Sequence, residues 1–143
     1  MRVCGVDLVG NDAIICLLFI ENKQFNIPEC RVRKLTLAKD HSRGDLQYFK
    51  ESFAKLMSDY KVEKVAIRER MPKGKFAGSA ISFKLEAAIQ LISEIDVEIL
   101  SPSQIKTAQK DSQLHIAFED TGLKVFQKEA FAVAFASQVL KSK

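Results

Sequence analysis

Two nearly continuous apolar runs open the chain, at residues 3–9 and 13–20, parted by Gly10, Asn11 and Asp12. Runs of this kind suit strands covered on both faces. The Gly-Asn-Asp break predicts a tight hairpin turn between them. Residues 24–37 carry Phe25, Ile27, Val32, Leu35 and Leu37 but are interrupted by Pro28 and Glu29. They predict a third strand at a sheet edge, where a proline is tolerated, with its best part at 30–37. After a polar loop, Asp45 is placed to cap a helix. Leu46, Phe49, Phe53, Leu56, Met57 and Tyr60 then recur at steps of three and four, which marks one buried helical face. Val65-Ala66-Ile67 predicts a short buried parallel strand with Glu69 at its C-terminal end. A basic loop containing glycine, residues 70–78, leads to Ser79, a cap for a helix bearing Ile81, Leu85, Ala88, Ile89 and Ile92. Residues 97–100 predict a fifth strand, and Pro102 opens a short helix at the position where its missing N–H costs nothing. Residues 108–124 are polar and carry no clear periodicity. Residues 125–140 form an alanine- and phenylalanine-rich helix whose small side chains allow close approach to a sheet.

The element order, β-β-β-α-β-α-β-α-α, defines an α/β fold. A meander followed by right-handed crossovers gives a mixed five-stranded sheet of order 3-2-1-4-5, with strand 2 antiparallel and helices on both faces. At 143 residues, the chain is expected to form one domain spanning 1–143. A hydrophobic fraction of 47 % is enough for a core. The net charge of +4 and isoelectric point near 9.0 tilt mildly towards anionic partners such as nucleic acid. Cys4, Cys16 and Cys30 lack metal-ligand spacing, and an odd number of thiols in apolar surroundings fits a reducing compartment. No signal peptide and no run long enough for a membrane span is visible, so a soluble cytoplasmic protein is expected.

The chemistry gathers around one acid. Asp7 sits inside an otherwise apolar strand, and a buried carboxylate costs several kcal/mol unless a cation, a donor or a metal compensates it. Glu69 ends the neighbouring parallel strand, and ligands in such sheets gather at the C-terminal strand ends. Glu129 lies early in the last helix, which can carry it to the same place. Three converging carboxylates would call for a hard divalent cation, Mg²⁺ or Mn²⁺, able to activate water against a phosphodiester. Beside them, Arg70, Lys73 and Lys75 are candidates to hold phosphates, and Phe76 is a candidate to stack on a base. His41 and His115 have no partner at metal spacing and read as surface residues.

These positions resemble the ribonuclease H-like superfamily, in particular its Holliday-junction resolvase (RuvC-like) branch. Gly5-Val6-Asp7 is similar to that branch's opening motif. Val65-Ala66-Ile67-Arg68-Glu69 with the basic loop resembles its second, and Glu129-Ala130 with alternating alanines resembles its last. The likeness spans nearly the whole chain in layout and about a dozen residues in motif. It implies metal-dependent phosphodiester hydrolysis with Asp7, Glu69 and Glu129 as metal ligands. It also implies a homodimer, because a four-way junction needs two symmetric cuts. The outline is similar, too, to a small uncharacterised bacterial family. Two departures stand out. The branch's second acid falls at Arg68, one residue before Glu69, and a one-residue offset in a strand turns a side chain to the other face. A further acid of the branch falls at Phe126. The expectation is therefore a Mg²⁺-dependent nuclease, against the alternative of a catalytically inactive ribonuclease H-like domain that binds nucleic acid or a protein partner. A nucleotide-binding relative of the sugar-kinase and actin type is disfavoured, since it needs two such domains and glycine-rich phosphate loops.

Overall fold

The computed structural model describes residues 1–74, 78–111 and 116–141. Strands β1 (Arg2–Val9) and β2 (Asp12–Glu21) form the predicted antiparallel hairpin, paired from Arg2 with Phe19 to Val9 with Asp12. Gly10 holds the turn at a φ of 58°, a left-handed value that costs glycine nothing. The third predicted strand is two short ones, β3 (Gln24–Asn26) and β4 (Lys34–Thr36). Both pair antiparallel with β2, at its two ends. The chain between them leaves the ladder at Pro28, which has no N–H to give and a fixed φ. The sheet therefore has six strands, in the order β3-β2-β1-β5-β6 with β4 also on β2, and keeps the predicted layout otherwise.

Helix α1 (Arg43–Asp59) begins one capping box earlier than expected. Ser42, not Asp45, is the N-cap, its hydroxyl accepting from the Asp45 N–H at 3.2 Å, while the Asp45 carboxylate accepts from the Ser42 N–H at 3.1 Å. Strand β5 (Lys64–Arg68) lies parallel between β1 and β6 (Asp96–Leu100). Ser79 caps α2 (Ala80–Gln90), and Pro102 opens α3 (Pro102–Asp111), both as predicted. Helix α4 (Lys128–Lys141) is preceded by a 3₁₀ turn over Val125–Gln127.

Alternation along β1 and β5 divides the core in two. Cys4, Val6, Leu8, Val65 and Ile67 face α1 and α2 with Phe49, Phe53, Leu56, Leu85 and Ile89. Val3 and Ala66 face α4, with α3 packed beside it through Ile105 and Ala108. Gly5 lies on that second face. A Cβ there would run into the Ala130 carbonyl and come within 2.8 Å of the Ala134 methyl. The glycine and the alanines together bring α4 down onto the strand. Two buried glutamines hold it in place: Gln127 donates to the Ile15 carbonyl and Gln138 to that of Leu18, each at 2.9 Å. No helix among the described residues is long and apolar enough to cross a membrane.

Candidate functional site

Asp7 shares the α4 face with Val3 and Gly5, near the C-terminal end of β1. It is only 6 % exposed. The ladder pairs Val6 with Ile67, so Arg68, the last residue of β5, stands next to Asp7. Alternation puts Arg68 on the same face as Ala66 and Asp7. Its Nε lies 3.3 Å from Oε2 of Glu129, in the first turn of α4. The cluster is thus Asp7, Arg68, Glu129 and Arg70, which follows in the loop.

Its electrostatics are dominated by burial. Desolvation raises the Asp7 carboxyl above its ordinary value, the positive charges of Arg68 and Arg70 oppose this, and Glu129 adds to it. Two buried side-chain polar atoms remain without a hydrogen-bond partner among the described residues, Oδ1 of Asp7 and Nε of Arg70.

Glu69 goes elsewhere. Its N–H donates to the Leu100 carbonyl at 2.9 Å, so the chain is still in the ladder at that point. No bulge corrects the offset, and the period of two turns its side chain to the α2 side. There it raises the Glu86 carboxyl, which burial already pushes up. Asp7 and Glu129 are brought together, with Arg68 between them; Glu69 is not. Phe126, at the position of the implied further acid, is half exposed at 47 %. Lys73 is exposed in the loop after Arg70, next to Gly74 at a φ of 103°. Lys75, Phe76 and His115 lie outside the described residues, and His41 sits on the surface side of α2 with its Nδ1 2.6 Å from Lys84 Nζ.

The two-ion centre implied by the resemblance does not fit these residues. Among the described residues no three His, Cys, Asp or Glu side chains gather as a metal-ligand group. Arg68 stands where the resemblance implies one ligand, and Phe126, at the position of another, lines a separate pocket with Cys30, Arg31 and Tyr60. Arg68 and Arg70 put two positive charges beside the two carboxylates that remain, and so offset the negative charge that would draw a hard dication there.

Sequence reasoning missed the cations beside this cluster. Arg68 and Glu129 line one side of a groove of about 400 Å³ between α3 and α4, which also exposes Lys106, Gln109 and Lys128. The signal was present as Lys106 and Gln109 one turn apart on α3 and Lys128 directly before Glu129, but only the packing of α3 on α4 unites them.

The architecture is that of ribonuclease H-like Holliday-junction resolvases. Thermus thermophilus RuvC superposes with a TM-score of 0.76 at 15 % identity, over 99 % of this chain and 96 % of that one. The same enzyme in complex with a Holliday junction substrate gives 0.73 at 11 % identity, over 99 % and 95 %. A Fowlpox virus resolvase bound to Holliday junction DNA gives 0.57 at 13 %, over 99 % of both chains. Within that fold the chain belongs to the family described as a protein of unknown function, DUF3010, whose model matches residues 1–137. No curated protein matches it.

Proposed function

We propose that this chain is a nucleic-acid-binding member of the resolvase fold that holds its target without cutting it. The observation that carries this reading is the Arg68–Glu129 ion pair beside the buried Asp7, at the strand ends where the resemblance implies a metal centre. A permanent guanidinium pairs with Glu129 there and offsets part of the Asp7 charge, and an arginine, unlike a metal ion, activates no water. Arg70, Lys106 and Lys128 stand beside the cluster, with Lys73 exposed in the loop after Arg70, and suit a phosphate backbone. One observation favours the nuclease reading instead: Asp7 Oδ1 is buried and unpartnered, as a carboxylate awaiting an ion would be.

Binding of a four-way junction, a duplex and a single strand, each in EDTA and in millimolar Mg²⁺ or Mn²⁺, separates the two. The expected result is binding that EDTA leaves unchanged, and no cleavage with either metal. Calorimetry should find no Mg²⁺ binding in the wild type and a new site in Arg68→Glu, where three carboxylates meet. Metal-dependent cleavage that disappears in Asp7→Asn overturns the proposal and restores the enzyme.

A further inference from the structure

We propose that the groove between α3 and α4 is a receptor for one unpaired nucleotide. This inference rests on the reading that the chain binds nucleic acid, and it names the element of the nucleic acid that is recognised. The floor is apolar: Phe131, 6 % exposed, meets Phe118 at 6.0 Å between ring centroids with a tilt of 56°. Phe118 is half-buried at the rim. Around this floor stand Arg68, Lys106 and Lys128, with Glu129 as the one acid lining the groove, already engaged by Arg68. Lys106 and Lys128 are both exposed and make no ion pair among the described residues. Gln109 adds an amide that can both donate and accept.

An apolar floor with convergent cations and one amide matches a phosphate joined to a flat heteroaromatic base. The volume, about 400 Å³, suits a single nucleotide. A duplex keeps its bases stacked inside and can present one here only after unstacking it. The groove therefore selects single strands, frayed ends or the unpaired positions of a branched structure. A free mononucleotide has the same chemistry and is the other source of the ligand.

The test is titration of the ¹⁵N-labelled full chain with thymidine monophosphate, thymidine, inorganic phosphate and tetrathymidylate. The monophosphate should shift the amide signals of Lys106, Gln109, Phe118 and Lys128. Phosphate, which lacks the base, should bind at least about fivefold more weakly, since stacking of one base is worth about 5- to 150-fold, and thymidine, which lacks the phosphate, should also bind more weakly than the monophosphate. Lys106→Glu and Lys128→Glu, both surface substitutions that leave the fold intact, should each weaken the monophosphate at least about tenfold. Tighter binding of tetrathymidylate than of the monophosphate assigns the groove to a polymer, and the reverse order to a free nucleotide. Phosphate binding as tightly as the monophosphate overturns the proposal, because no base is then read. Failure of every small ligand while a four-way junction still binds overturns this inference alone. Failure of all nucleic acids overturns the proposed function with it.

Discussion

Asp7 is the one buried acid among the described residues, and its charge works against the fold. Burial raises its carboxyl despite two nearby guanidiniums, so the folded protein holds that proton more tightly than the unfolded chain does. Between the ordinary carboxyl value of about 4 and the raised one, the native state binds more protons, so stability falls as pH rises through that window. Asp7→Asn removes the charge and should raise the melting temperature at neutral pH by about 2–5 °C. The gain should fade below about pH 4, where the wild-type carboxyl is itself neutral. Melting curves of both proteins across that range check it, and a difference independent of pH would assign the effect to packing instead. The burial of Asp7 was legible in the sequence, because it stands alone as an acid in an apolar run. Its compensating partner was not. Arg68 was visible as a departure from a motif, but its meeting with Asp7 depends on the register of β1 against β5, a pairing of residues some sixty positions apart. The direction of Glu69, by contrast, follows from the period of two alone.

Among the elements, β1 and α4 set the geometry of the site, because α4 can deliver Glu129 to Arg68 only by lying close to the strand. Gly5 is the contact that permits this. In Gly5→Ala the new methyl would strike the Ala130 backbone carbonyl and sit 2.9 Å from the Ala134 nitrogen, so the helix itself must move. Overpacking against backbone should cost about 3 kcal/mol. Urea denaturation measures that loss, and a loss under about 1 kcal/mol would mean that α4 shifts easily and is no rigid mount for Glu129. Most elements could be read from periodicity: the hairpin, both crossovers, the Ser79 cap and the Pro102 helix start all stand where the pattern puts them. The failures have local causes. Pro28 split the third strand, and the reciprocal Ser42–Asp45 box moved a helix start by three residues. The groove between α3 and α4 could not be read, since it exists only through the packing of two helices joined by a stretch without periodicity.

At the scale of the whole molecule, the net charge of +4 is small, and its distribution decides what it can attract. Away from the strand ends some of the cations are paired, Arg2 with Glu21, Arg31 and Lys55 with Asp59, Lys34 with Asp12 and Lys64 with Glu98, while others, such as Lys23, Arg43 and Lys50, make no ion pair among the described residues. At the strand ends Arg70, Lys73, Lys106 and Lys128 have no such partners among the described residues. A duplex or junction bound through these four should show a slope of log affinity against log salt of about −3 to −4. Lys73→Ala should flatten that slope by about 0.9, and Lys106→Ala should do the same. Lys55→Glu, on the outer face of α1 and already spent on Asp59, should leave both affinity and slope unchanged. Fluorescence anisotropy across a salt series measures all four proteins. A steep slope that falls equally for Lys55→Glu would mean that nucleic acid is drawn by overall charge rather than by one face. The fold places that face beside a guanidinium-filled site, so tight, salt-sensitive binding and the absence of cleavage are one expectation drawn from the same few residues.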